Sequence, residues 1–235
     1  MRLNATDIHA GYGKIEVLHG ATIRADEGEI ICIIGPNGSG KSTLLKAIFG
    51  LLKPTNGTVI FNGTDITRLE PEQKVRLGIA FIPQGRNVFP SLTVRENLEM
   101  GGTALDDEKA VQRAIEEALE EYPLLRRKIH DKAGNLSGGE KQILSLARAD
   151  MVKPGLILMD EPSIGLSPRM IDEVYTKITE INLRGATFAI VEQNAKKALG
   201  IAHRGYVLDL GRTRLEDTGA GLLNNEEVKK LYLGG

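Results

Sequence analysis

Gly35-Pro36-Asn37-Gly38-Ser39-Gly40-Lys41-Ser42 fits G-x-x-x-x-G-K-S in full. It follows an apolar run expected to be a strand, Glu29–Ile34, and opens a helical stretch, Ser42–Phe49. That is the context in which the pattern grips phosphate. Glycines let the backbone curl around phosphate oxygens without Cβ clashes, so their N–H groups can point inward as donors. The helix N-terminus adds favourable positive potential. Lys41 supplies a point charge for the terminal phosphates, the Ser42 hydroxyl is a candidate Mg²⁺ ligand, and Thr43 follows as a further candidate contact to the bound nucleotide. Asp160 closes another apolar run, Leu156-Ile157-Leu158-Met159, and Glu161 follows at once. A carboxylate at the C-terminal end of a parallel strand faces the ligand crevice. Asp160 is therefore expected to hold Mg²⁺ through water, and Glu161 to polarise the attacking water.

A second segment carries the same kind of chemistry. Leu136-Ser137-Gly138-Gly139-Glu140 starts an amphipathic helix reaching to Met151, with Ser137 and Glu140 spaced as a capping box. A capping box does not explain two successive glycines in a first helical turn, where each lowers helix stability. Bare N–H groups presented to a phosphate do explain them.

The elements that must position these residues alternate short apolar runs with longer amphipathic ones, the pattern of an α/β protein. Buried parallel strands are expected at Glu29–Ile34, Ile79–Pro83, Leu156–Asp160, Thr187–Glu192 and Tyr206–Leu210. Residues 3–24 and 57–62 alternate apolar and polar positions around glycine-containing turns and are expected to form a small antiparallel sheet. Helical spacing appears at 93–100, 106–121 and 138–151. The expected organisation is a single nucleotide-binding domain over 1–235, with a P-loop NTPase core from 1–84 and 151–235 and an inserted helical subdomain at 85–150. The charged run 106–121 reads as a solvated helix face, with partner docking as the alternative.

Composition is ordinary for a globular protein: 235 residues, 41% hydrophobic, 26% charged, net charge −1. No strongly basic face is implied, so nucleic acid is not an expected partner. The longest strictly apolar run, Ile30–Ile34, is far short of a membrane span, and the N-terminal residues lack the apolar stretch of a signal peptide. Any membrane role is expected to come through partner subunits. Cys32 lies inside that apolar run and reads as a core residue.

In these motifs and their order the chain resembles the ATP-binding cassette (ABC) family, whose signature is L-S-G-G-Q; here Glu140 takes the last place. The resemblance covers essentially the whole chain. It implies two cassettes paired head to tail, so that each Mg-ATP lies between one phosphate loop and the other subunit's signature. Ser137, Gly138 and Gly139 would then contact the γ-phosphate in the partner's site. Tyr12, in Gly11-Tyr12-Gly13, sits where the family stacks an aromatic ring on adenine; an ordinary hairpin tyrosine is the alternative. Gln84 matches the residue that touches Mg²⁺ and the attacking water, and Glu161 matches the catalytic glutamate. Two positions depart from the pattern. The usual aspartate after S-x-G-L is Ser167, and the histidine expected to contact the γ-phosphate is Gln193. A glutamine can donate but stays neutral, so this chain's own site is expected to turn over more slowly than one carrying histidine. Equal competence is the alternative.

Within the family, Ile79–Leu98, Leu166-Ser167-Pro168 and Val191-Glu192-Gln193-Asn194 resemble the second ATPase subunit of branched-chain amino-acid importers. That resemblance implies a second ATPase, two permease subunits, an external solute-binding protein, and a place at the cytoplasmic face of the inner membrane. Uptake of urea or short amides is the neighbouring alternative, and a soluble cassette ATPase without transport is the other. The absence of an N-K-x-D motif argues against a GTPase. Val88, Phe89 and Pro90 are expected to present an apolar point to the permease, unless they are buried.

Overall fold

The computed structural model describes residues 1–85, 88–105 and 107–232. Strands β1 (Leu3–Tyr12) and β2 (Ile15–Ala25) form a hairpin whose turn is Gly13-Lys14, with Gly13 at φ +59°. Then come β3 (Ile30–Ile34), helix α1 (Lys41–Phe49), β4 (Asn56–Phe61), β5 (Thr64–Asp65), α2 (Pro71–Arg76) and β6 (Ile79–Ile82). Helices α3 (Val94–Gly101), α4 (Glu108–Glu121), α5 (Pro123–Arg127) and α6 (Gly138–Asp150) precede β7 (Leu156–Asp160). The chain continues through α7 (Pro168–Leu183), β8 (Thr187–Val191), α8 (Ala195–Ile201), β9 (Arg204–Asp209), β10 (Arg212–Thr218), α9 (Gly219–Asn224) and α10 (Glu226–Tyr232).

Two sheets result. The antiparallel sheet has the order β2-β1-β4-β5. The larger has the order β10-β9-β3-β8-β7-β6, parallel except for β10, which pairs antiparallel with β9. Strands β3, β7 and β8 are buried at every residue, which is why they read as continuous apolar runs rather than alternating ones. Their alternate faces feed two cores. Cys32, Met159 and Ile190 pack with the helices of the segment between β6 and β7 and with α7; Ile33, Leu158 and Ala189 pack with α1 and the antiparallel sheet. Cys32 is a buried core residue.

Helix α1 is thus clamped between the two sheets by Leu44, Leu45, Ala47 and Ile48. Its C-terminal end is held by fully buried Lys74, whose ammonium donates to the Ile48 carbonyl (2.8 Å). A cation there satisfies an orphan carbonyl and complements the helix dipole.

The five expected buried strands occur within two residues of their expected bounds. Strand β10 was not anticipated: its polar, exposed sequence has no buried face to impose a pattern. The expected helix at 106–121 is α4, with Asp106 outside the described residues, as are Arg86 and Asn87.

Candidate nucleotide site

The C-terminal ends of the parallel strands converge, and the chemistry gathers there. The loop of residues 35–40 joins β3 to α1, and two of its glycines are obligatory for different reasons. A Cβ on Gly35 would lie 2.0 Å from the Leu208 carbonyl oxygen at the end of β9. Gly40, the N-cap of α1, has φ +101°, and a Cβ there would also meet Leu18 of β2 at 2.7 Å. The loop is braced from outside: the Gly211 amide donates to the Ser39 carbonyl (3.0 Å), and the His19 amide to the Gly211 carbonyl (2.9 Å). Pro36, Asn37 and Gly38 form its exposed rim. The buried Ser39 hydroxyl has no hydrogen-bond partner among the described residues.

Lys41 is buried, and its ammonium donates to the carbonyls of Gly35 (2.8 Å) and Pro36 (3.0 Å). Burial lowers its pKa, opposed by the carboxylates of Glu161, Asp160 and Glu192. The charge is thus aimed into the loop and is short of solvent, a state that an anion would relieve.

The Ser42 hydroxyl donates to Asp160 Oδ1 (2.7 Å) across the gap between α1 and β7. Burial raises the Asp160 pKa, and the Ser42 bond opposes it. Glu161 has φ +49°, an uncommon conformation for a residue with a side chain. Its amide donates to the Val191 carbonyl (2.9 Å), and Gln84 Nε2 donates to its Oε2 (2.8 Å). Burial and then Asp160 raise the Glu161 pKa, with Lys41 opposing. Glu161 is therefore a half-buried carboxylate with raised basicity beside a hydroxyl, a second carboxylate and an amide. These are hard oxygen donors, few in number, which is the donor set Mg²⁺ takes when phosphates and water complete its shell. Among the described residues no cluster of three or more His, Cys, Asp or Glu could hold a metal by itself.

Gln193, just beyond β8, is exposed and lines one cleft of about 280 Å³ with Gly35, Pro36 and Asn37. Leu231 and Tyr232 of α10 complete its wall, a contribution from the C-terminal helix that no sequence motif announces. Tyr12 is 49% exposed, with the Lys46 ammonium of α1 6.0 Å from its ring centre, so the ring face lies on the phosphate-loop side of the hairpin. Ser167 is the N-cap of α7, where its side chain makes no capping bond.

The structure does not bring Ser137–Gly139 into this group. The capping box is present: the Ser137 amide donates to Glu140 Oε2 (2.9 Å), and the Glu140 amide to Ser137 Oγ (3.3 Å). The Lys128 ammonium holds the other Glu140 oxygen at 2.7 Å and lowers the carboxyl pKa. The two glycines divide their roles. Gly138 is exposed, as a phosphate-facing amide requires. Gly139 is buried, and a Cβ there would lie 2.5 Å from Met170 Cε and 2.8 Å from Met170 Cβ in α7. Close helix packing therefore gives the second glycine a reason of its own, beside the expected baring of its N–H group.

Sequence reasoning also passed over Glu192. An acidic residue ending a strand is commonplace, and its partners, Ser163 and Tyr175, are remote in sequence.

Comparison with known proteins places this arrangement. Residues 18–164 match the family model described as ABC transporter. The high-affinity branched-chain amino acid transport ATP-binding protein BraG of Pseudomonas aeruginosa is 44% identical over 225 residues, covering 95% of this chain and 96% of BraG. The probable branched-chain amino acid transport ATP-binding protein LivF of Archaeoglobus fulgidus is 40% identical, covering 99% and 98%. A crystal structure of a nucleotide-free ATP-binding cassette from an ABC transporter superposes with TM-score 0.88 at 31% identity, covering 100% and 99%. With motif, fold and full-length similarity in agreement, the chain belongs to the ABC transporter family and is one of its ATP-hydrolysing subunits.

Proposed function

We propose that this chain is an ATPase of a branched-chain amino-acid importer, hydrolysing Mg-ATP between its own phosphate loop and the signature of a second ATPase subunit. The observation that carries the hydrolytic reading is the constellation Ser42–Asp160 and Glu161–Gln84 at the strand ends. In this reading Gly35 to Thr43 bind the phosphates, and Tyr12 stacks on adenine. Ser42, Gln84 and water held by Asp160 complete the Mg²⁺ shell. Glu161 orients the attacking water, while Gln84 and Gln193 position water and γ-phosphate. A hydrogen-bonded carboxylate of raised basicity suits that role. The exposure of Ser137 and Gly138 at a capped helix end supports a role in a partner's site.

The reading extends to two permease subunits and an external binding protein, with this chain on the cytoplasmic face of the inner membrane. No helix among the described residues is long and apolar enough to cross a membrane. Phe89 is 42% exposed and Pro90 is exposed, while Val88 packs against the core beneath them. An exposed aromatic on the helical segment, with the Arg148 guanidinium 5.2 Å from its ring, supports a permease contact there. The solute is inferred from the full-length similarity to BraG and LivF.

The test is to purify the tagged chain from detergent-solubilised membranes of its host and reconstitute what accompanies it. Two permeases, a second ATPase and ATP-driven uptake of labelled leucine, isoleucine or valine are expected. Uptake of urea in preference would move the assignment to the alternative solute. A chain that co-purifies with no membrane protein would overturn the transport reading.

A further inference from the structure

Glu192 immediately precedes Gln193 and is 2% exposed. A carboxylate is costly to bury unless both oxygens are hydrogen-bonded. Here both are. Oε1 accepts from the Ser163 amide (2.9 Å) and from the Tyr175 hydroxyl (2.9 Å), and Oε2 accepts from the Ser163 hydroxyl (2.9 Å). Among the described residues, its hydrogen bonds come from neutral groups alone. Burial raises its pKa, with Ser163 and Tyr175 opposing. A buried charge held by neutral donors alone is an expensive way to pack a strand end, and an apolar side chain would serve stability as well.

What the carboxylate secures is a set of positions. Its own amide donates to the Ile33 carbonyl (3.2 Å), two residues before the phosphate loop. The preceding residue, Val191, accepts from the amide of Glu161 (2.9 Å). Glu161 sits at φ +49° and accepts from Ile164 (3.3 Å), so residues 161–164 form one tight turn. The end of β8 therefore grips that turn twice, at Glu161 through Val191 and at Ser163 through Glu192. Left-handed backbone at a residue with a side chain persists only where its surroundings over-determine it.

We infer that Glu192 is a positioning residue for hydrolysis: it locks the Glu161–Leu166 turn to Gln193, so that the water-orienting carboxylate and the γ-phosphate contact keep one fixed relation. This rests on the reading of Glu161 given above. Glu192→Gln keeps the shape but removes the charge, and its NH2 can meet the Ser163 hydroxyl only with that bond reversed, so the turn loses its charge-assisted ties. Residues 35–42 make none of these three bonds, so nucleotide binding is spared.

The test measures ATPase kinetics in the assembled transporter, with Mg-ATP affinity and melting temperature of the same variants. Glu192→Gln is expected to lower kcat on the order of 10- to 100-fold, the effect of a misplacement of about 1 Å. KM, ATP affinity and Tm should stay near wild type. Tyr175→Phe and Ser163→Ala, which keep the charge and remove one donor each, should lower kcat by less individually and approach Glu192→Gln together. If Glu192→Gln does not fold, that double variant decides alone. Unchanged kcat, or a fall matched by equal losses of ATP affinity and stability, would overturn the inference. Glu161→Gln serves as the control: if it hydrolyses normally, the reading of Glu161 fails, whereas a dead Glu161→Gln beside a normal Glu192→Gln sinks only the role of Glu192.

Discussion

The phosphate loop and the signature turn both place glycines at the start of a helix, and they use them differently. In the loop, glycine answers to backbone. Gly35 faces a carbonyl oxygen that cannot retreat without disturbing β9, and Gly40 adopts φ +101°. At the signature, Gly139 answers to a side chain, Met170, while its exposed neighbour Gly138 would bring a Cβ only into ordinary contact with Leu166, at 3.5 Å. The phosphate loop is thus held in its geometry by its own chain, through β3, β9 and α1. The signature turn is a well-capped helix end whose first residues, Ser137 and Gly138, are exposed. A motif reports which residues stand at a turn; whether a glycine there serves a ligand or a packing contact depends on what lies against it.

The contrast is sharpened first by separating chemistry from binding. Glu161→Gln should lose about 10²–10⁴ in ATPase rate, the usual worth of a positioned base. ATP affinity should persist, because a residue orienting the attacking water acts mainly in the transition state. Catalysis needs the ionised form, which is lost as pH falls through a raised pKa. The acid limb of the wild-type kcat/KM profile, which reports the free enzyme, should therefore lie above the ordinary glutamate value. Near-normal turnover by the variant would remove Glu161 from the mechanism.

On the signature side, Ser137→Arg should do the reverse of an active-site lesion. A long cationic side chain on the exposed helix end should abolish ATP-dependent dimerisation seen by sedimentation while the monomer binds nucleotide normally. An unaltered ATP-dependent dimer would mean that the signature does not close a partner's site.

The glycines can be set against each other directly. Gly139→Ala should cost about 1–3 kcal/mol in denaturant unfolding, the typical penalty of overpacking. Met170→Ala in the same chain should return part of it, since it removes Cγ and Cε but leaves Met170 Cβ, 2.8 Å from the added methyl. Gly40→Ala meets Leu18 and also carries the φ strain, so Leu18→Ala should restore neither stability nor Mg-ATP affinity in full. Equal rescue at both sites would erase the distinction.

The smallest effect expected is at Gln193. In the assembled transporter with the partner's site inactivated, Gln193→His should raise ATPase several-fold, because an imidazolium adds charge assistance that a neutral amide lacks. An unchanged or lower rate would show the glutamine to be fully competent.

Much of this molecule is legible in the sequence. The parallel strands announce themselves because β3, β7 and β8 are buried on both faces and so must be apolar throughout. Lys41, Ser42, Asp160 and Glu161 are legible because short loops at strand ends fix where they stand. Strand β10 was missed because an exposed edge strand pairing with a single neighbour imposes no apolar pattern. That Phe89 is exposed while Ile82 is buried was open in the sequence, since both are simply apolar.

The chain's local order therefore determines which residues bear charge, which backbones can turn, and which segments must be covered. Tertiary structure alone decides which of them meet. Glu192 finds Ser163 from 29 residues away, Gln84 reaches Glu161 across 77, and Ser42 reaches Asp160 across 118. Such contacts come from the crossovers that bring distant strand ends together. The hydrogen bonds that satisfy a buried carboxylate, or shift its pKa, depend on that assembly and have no signature in local spacing.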